Sequence, residues 1–159
     1  MHPTTMRTFL KYWLPVFIWL GVIFAGSTDI LSAEHTSRYL VPFLRWLDPQ
    51  ISTSTIATVH FALRKLGHLT EYGVLAALLW RALRNGTNLR ARMSTLFVGV
   101  WVVCAIFAMG DEFHQSFVAS RTMSLLDVMI DISGAVAGLA VSVMCAVRAN
   151  RKSGIENQK

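Results

Sequence analysis

Long apolar stretches separated by short polar segments occupy most of the chain. Four of them approach the roughly 20 residues that a helix needs to cross a bilayer, at 10–28, 66–83, 93–109 and 125–147. The first ends in Ala25-Gly26-Ser27, which also fits a cleavable signal peptide, but the other apolar stretches favour a retained helix. The pattern predicts an all-α, polytopic membrane protein, with four transmembrane helices in one small bundle and a single domain over 1–159.

The segment between the first and second apolar stretches has a different pattern. Over 38–46, aromatic residues stand beside arginines, a combination typical of an element that lies at the headgroup level and does not span. A run of Ser and Thr at 52–55 offers a helix N-cap, and 56–84 contains no proline. We therefore predict an interfacial segment followed by one long helix whose part 66–83 is embedded in the membrane.

Composition and charge support a membrane protein. Apolar residues make up 53% of the chain and charged residues only 15%. The net charge of +6 does not indicate nucleic acid, because the cations flank apolar stretches and do not form one patch. Basic residues are concentrated before the first stretch, between the second and third, and after the fourth. The positive-inside rule then predicts that the N- and C-termini are cytoplasmic.

Ionisable and amide residues lie where a bilayer makes them costly, about 2.5–3.5 kcal/mol each at a helix centre. They form four groups: Lys65, His68 and Glu71; Asp111, Glu112, His114 and Gln115; Arg121; and Asp127 with Asp131. With four alternating spans, the helix ends that carry these groups meet at one face of the membrane. Helical spacing also places positions 65, 68 and 72 on one face, Asp111 and Glu112 four and three positions before Gln115, and Asp127 with Asp131 in one stripe. We therefore predict one polar site.

The residue types indicate what such a site can do. His68, Glu71, Glu112 and Asp127 are candidate acid/base groups, because paired ionisable groups in a low-dielectric bundle can exchange protons near neutral pH. The candidate binding residues are Lys65, Asp111, Gln115, Arg121 and Asp131. Of these, Lys65 and Arg121 suit the phosphate of a lipid headgroup. Whether the chain is an enzyme stays open.

Two other uses of the same residues are possible. The carboxylates of Asp111, Glu112, Asp127 and Asp131 can hold a divalent cation, and His68 or His114 would shift the preference towards zinc or manganese. Alternatively, they form a salt-bridge lattice that only joins the helices. Gly134 and Gly138 have the spacing that allows transmembrane helices to approach closely. Cys104 and Cys145 lie inside spanning stretches and are expected to be free packing residues.

Three ordered motifs carry a resemblance to a known family. They are Lys65-Leu-Gly-His68-Leu-Thr-Glu71-Tyr72-Gly, then Asp111-Glu112-Phe-His-Gln115-Ser-Phe117, and Arg121 with Asp127 and Gly134, all within 65–138. This combination resembles the VanZ-like family of bacterial membrane proteins. The chain departs from the family at Ala119-Ser120, where a Pro-Gly is usual, and at Asp131, where Asn is usual. The first loosens the expected turn, and the second adds a negative charge.

The resemblance implies a multi-pass protein of the bacterial cytoplasmic membrane, linked to the cell envelope and in one member to teicoplanin resistance. Together with the predicted site, it favours a protein that binds or modifies an anionic lipid or a lipid-linked glycan. Its expected partners are membrane lipids, an envelope precursor, and a further copy of the chain. A proton-coupled carrier using Glu71, His68 and Asp131 is one alternative. A non-catalytic adaptor that uses the glycine stripe is another.

Overall fold

Every element in the described part of this computed structural model is a helix. The structure describes residues 3–28, 33–87, 91–118 and 123–156. Within them lie α1 (Pro3–Ser27), α2 (Ala33–Leu47), α3 (Thr53–Gly86), α4 (Met93–Gln115) and α5 (Leu125–Glu156). The predicted all-α fold is confirmed.

Helix α3 lies at the centre of the molecule and contacts each of the other four helices. It begins where the Ser52 hydroxyl accepts a hydrogen bond from the Thr55 amide at 3.1 Å, which satisfies one of the free amides of the first turn. Its buried residues include Tyr72, Leu75 and Ala76, all fully enclosed by the neighbouring helices. A helix in this position can hold the polar side chains of its inward faces away from lipid.

Helices α1 and α4 run in one direction along the bundle, and α3 and α5 run in the opposite direction. The Trp19 indole donates to the backbone carbonyl of Glu71 at 2.8 Å, halfway along α1. Towards the start of α1, the Tyr12 ring lies 5.2 Å from the Arg81 guanidinium, near the end of α3. At the opposite end of α1, Ser27 contacts Asp111 in the last turns of α4. The end of α1, the first half of α3, the end of α4 and the start of α5 therefore share one end of the bundle.

The most extensive interface joins α3 to α5. A methyl group added at Gly134 would collide with the Leu69 carbonyl group, 2.9 Å from its carbon. One added at Gly138 would lie 2.8 Å from the carbonyl carbon of Gly73. Since both collisions involve backbone atoms, the two helices approach as closely as glycine allows.

Three helices in the described residues are long and apolar enough to cross a membrane: Met6–Ser27, Met93–Gln115 and Leu125–Arg151. Their outer faces carry large exposed apolar side chains such as Phe17, Ile106 and Met129, as expected for contact with lipid. Helix α3 does not qualify because charged residues are spread along its length. The prediction of four spans therefore remains a prediction for α3.

Candidate functional site

Asp127 is the centre of a buried ionic group between α3 and α5. It lies in the first turn of α5 and is fully buried. Arg64 donates from Nη2 to Asp127 Oδ2 at 3.1 Å, and the Lys65 ammonium donates to Oδ1. Lys65 also lies over the Phe61 ring, 4.8 Å from its centroid. Two cations from consecutive positions of α3 thus compensate one buried carboxylate.

His68 joins this group to the next turn of α5. Its Nδ1 lies 3.0 Å from Asp131 Oδ1, and both side chains are buried. An ionised carboxylate only accepts hydrogen bonds, so beside ionised Asp131 the ring hydrogen is on Nδ1. The other ring nitrogen, Nε2, faces Asp127, whose Oδ2 is 3.9 Å away, and in the neutral ring this nitrogen carries the lone pair. Asp131 therefore fixes the orientation of the imidazole.

Glu112, on α4, extends towards the ionic group formed by Asp127 and His68. One of its oxygens, Oε2, accepts the backbone amide of Ser124 at 2.7 Å, just before α5 begins. The other, Oε1, has no hydrogen-bond partner among the described residues, although Glu112 is fully buried. One donor atom each of His68, Glu112 and Asp127 lie within 4.8 Å of one another. We call Arg64, Lys65, His68, Glu112, Asp127 and Asp131 the polar cluster.

A second hydrogen-bonded group lies beside the polar cluster. The Ser27 hydroxyl of α1 donates to Asp111 Oδ1, and Gln115 donates from Nε2 to Asp111 Oδ2 at 2.9 Å. Gln115 is fully buried and Asp111 half-buried. Both oxygens of Asp111 are thereby satisfied, and the group joins α1 to α4.

A cavity of about 920 Å³ opens beside both groups, between the end of α1, α2, the first half of α3 and the end of α4. Its polar wall includes Ser27, Arg64, His68, Glu71 and Gln115. The remaining wall is largely apolar and aromatic, with contributions from Tyr39, Leu40, Phe43, Phe61 and Leu63. The amphipathic helix α2 covers this apolar part, and it contacts α3 alone among the described elements.

Most of the residues predicted for the site lie together. Lys65, His68, Glu112, Asp127 and Asp131 belong to the polar cluster, while Asp111, Gln115 and Glu71 adjoin it. His114 does not join: its ring packs 4.7 Å from the Phe24 ring. Arg121 and the Ala119-Ser120 departure lie outside the described residues.

Sequence reasoning missed three contributors. Arg64 lies one turn before His68 on α3, so the helical spacing used for Lys65 and His68 could have identified it. The Ser27 hydroxyl and the Ser124 amide carry no such signal, because their partners are on other helices. Cys104 and Cys145 are both free, as expected.

Comparison with known proteins gives a family. The family model described as VanZ/LLP1 matches residues 12–146, which include all five helices in whole or in large part. No curated protein and no solved structure matches the chain.

Proposed function

The chain belongs to the VanZ/LLP1 family, and from this membership and the cavity beside the polar cluster we propose that it binds or modifies an anionic lipid or a lipid-linked glycan. The observation that carries the proposal is the cavity itself. Its volume falls in the range of roughly 300–1,000 Å³ that is usual for small-molecule sites, and one wall is polar while the other is apolar. An amphipathic ligand matches both walls.

Arg64 is the residue best placed to hold an anionic headgroup. It lines the cavity, and only one of its terminal nitrogens contacts Asp127. Its Nε is buried and has no hydrogen-bond partner within the part of the chain that the structure describes. A guanidinium has five donors, and their planar arrangement suits phosphate. The unused donors of Arg64 therefore support a phosphate at this end of the cavity.

The acyl or prenyl part of the ligand would lie between α2 and α3. Tyr39 and Phe43 of α2 face Phe61 and Leu63 of α3 across the cavity. His68 lines the polar wall with its orientation fixed by Asp131, so it is the group that would take or give a proton at a bound headgroup.

We also propose the topology that this site requires. Helices α1, α3, α4 and α5 would span the bacterial cytoplasmic membrane, and α2 would lie at the outer surface. The charges of α3 support a span because Arg64 and Lys65, in its first half, are paired with the buried Asp127 of α5. Exposed aromatic residues on α2, Tyr39, Phe43 and Trp46, suit the headgroup region. Arg7, Lys11, Arg84 and Arg92 at the opposite end support cytoplasmic termini.

Native mass spectrometry of the full chain in mild detergent tests lipid binding. We expect a retained phospholipid or phosphorylated prenyl lipid, and tighter binding of added phosphatidylglycerol than of phosphatidylcholine. Arg64→Gln should weaken phosphatidylglycerol binding about tenfold or more, since a charged hydrogen bond contributes about 1.5–3 kcal/mol. Arg38→Gln, on the exposed surface of α2, is the matched control and should bind normally.

A second pair of variants tests the apolar wall. Phe43→Ser should release the lipid because Phe43 lines the cavity, whereas Trp46→Ser, three positions further on the same helix, should retain it. Size-exclusion chromatography confirms that each variant is folded. If no lipid is retained and phosphatidylglycerol binds no better than phosphatidylcholine, the proposed function is wrong.

A further inference from the structure

The polar cluster contains buried carboxylate oxygens that no described group satisfies. Glu112 Oε1 and Asp131 Oδ2 have no hydrogen-bond partner, and both residues are fully buried. An unpaired carboxylate in a low-dielectric interior is strongly disfavoured. The cluster holds three carboxylates, of Glu112, Asp127 and Asp131, against the two fixed cations of Arg64 and Lys65. Its composition therefore leaves room for further positive charge.

The geometry around His68 has the form of a histidine that ligates a metal. Ligating histidines almost always direct their second ring nitrogen to a carboxylate or carbonyl, which fixes the tautomer. Asp131 fills that position against Nδ1 at 3.0 Å. Nε2 faces Asp127 Oδ2 at 3.9 Å, too far for a hydrogen bond. A gap of this length between a nitrogen lone pair and a carboxylate oxygen is one that an ion can bridge.

We propose that His68, Glu112 and Asp127 bind one divalent transition-metal ion, zinc or manganese. Their donor atoms lie within 4.8 Å of one another. Two ligands of one such ion lie at most about 4.4 Å apart, twice the usual bond length of about 2.0–2.2 Å. Side-chain movements of less than about 1 Å therefore bring the three donors into one coordination sphere.

The donor types select the metal and leave a position open. One imidazole nitrogen with two carboxylate oxygens favours zinc or manganese over calcium and magnesium, which prefer oxygen alone. Three protein ligands leave a fourth position of a tetrahedral site for water or another ligand. Because His68 also lines the cavity, a headgroup oxygen can reach that position. When one oxygen of Asp127 binds the metal, it gives up its contact with Arg64 or Lys65. The released cation can then bind the headgroup.

Metal titration of the full chain in detergent, purified through a tag without histidine, tests the proposal. We expect one equivalent of Zn²⁺ or Mn²⁺ by inductively coupled plasma mass spectrometry after desalting, and no equivalent retention of Mg²⁺ or Ca²⁺. His68→Ala and Glu112→Gln should each lower the affinity at least tenfold. Asp131→Asn keeps all three ligands but loses the charge that orients His68, so the affinity should fall about 10–100-fold.

Two matched variants control for the residue types. His114→Gln removes a histidine on the same helix as Glu112, and Asp48→Asn removes an exposed acid beyond the end of α2; both should retain one equivalent. X-ray absorption of the zinc form should show one imidazole ligand. Absence of stoichiometric metal, or the same affinity in wild type, His68→Ala and Glu112→Gln, overturns the proposal, as does loss of metal in His114→Gln. Lipid binding is measured separately, so the two proposals can fail independently.

Discussion

At the scale of single residues, the buried charges are compensated in pairs that bridge helices. Asp127 faces two cations of α3, and Asp131 faces His68 one turn further along α5. Breaking a buried ion pair by removing one partner is costly, because the other charge is left unpaired. The same residues that form the proposed site therefore also hold α3 against α5.

Replacement of Asp127 by Asn should destabilise the protein markedly. The change leaves Lys65 and Arg64 without their carboxylate, and we expect a loss of about 3–5 kcal/mol in the free energy of unfolding. Unfolding by SDS titration in mixed micelles measures it. Asp48→Asn is the control: Asp48 is exposed beyond the end of α2, and its replacement should change the free energy by less than about 0.5 kcal/mol. Equal effects of the two changes would contradict a stabilising role for the buried pair.

The membership of the site was largely predictable from residue type, whereas the pairing was not. Lys65, His68, Asp127 and Asp131 stood out because ionisable residues in apolar stretches are costly. Which acid faces which base depends on helix rotation and on the distance between axes, and neither follows from spacing within one helix. Asp131 was predicted as a binding residue, a cation ligand or, with His68, part of a proton relay, and the structure shows that it is the hydrogen-bond partner of His68.

At the scale of helices, two glycines allow the close distance between the α3 and α5 backbones. Gly134 and Gly138 of α5 pack on the backbone of α3 at Leu69 and Gly73. No hydrophobic effect drives association between helices inside a bilayer, so close packing of backbones supplies much of the attraction. The close approach of the two backbones also brings the polar side chains of α3 within contact of Asp127 and Asp131, which precede the glycines on α5.

Alanine at these glycines should separate the two helices. We expect Gly134→Ala and Gly138→Ala each to cost about 1–3 kcal/mol, because the added methyl group meets backbone that cannot move aside by rotating a side chain. Gly99→Ala on α4 is the control, since no atom outside its own helix lies within 4 Å of the added carbon. It should be neutral or stabilising by up to about 1 kcal/mol. Thermal unfolding in detergent distinguishes the two outcomes.

Helix positions could be predicted from the sequence wherever a stretch is almost uniformly apolar. The apolar runs of α1, α4 and α5 were identified from hydropathy, and the observed helices extend beyond the predicted spans by several residues. The third apolar span was predicted to end at Met109, with Asp111 to Gln115 at the end of its helix; α4 does continue to Gln115, which donates to Asp111 one turn earlier. In α3 the charges weaken the apolar signal, and its central position, in contact with the other four helices, follows only from the tertiary contacts.

At the scale of the whole molecule, the polar cluster and cavity lie at one end of the bundle and the basic residues Arg7, Lys11 and Arg92 at the other. Alternating helix directions, as the sequence predicts, are sufficient to place the polar helix ends at one end of the bundle and the basic residues at the other. Helix α2, with the apolar wall that it adds to the cavity, was predicted as an interfacial segment but not as part of a site.

Labelling of single cysteines in intact cells tests the proposed orientation. With Cys104 and Cys145 replaced by Ser, a membrane-impermeant maleimide should modify cysteines at Thr53 and Ser116 from outside. Cysteines at Asn85 and Arg92 should react only after the cells are permeabilised. All four positions are exposed in the structure, so lack of reaction reflects sidedness and not burial. Labelling of Thr53 and Ser116 in opposite compartments would contradict the shared end of the bundle.

The pairing of α3 with α5 sets an order of events during synthesis. Arg64 and His68 meet Asp127 and Asp131 across 63 positions of sequence. At about 5–20 residues per second, the ribosome needs about 3–13 s to make that stretch. During this interval α3 carries cations whose counter-charges do not yet exist, and each adds about 2.5–3.5 kcal/mol to the cost of entering the lipid. In the proposed topology, α3 therefore becomes stable in the bilayer only after α5 has been made and supplies Asp127 and Asp131.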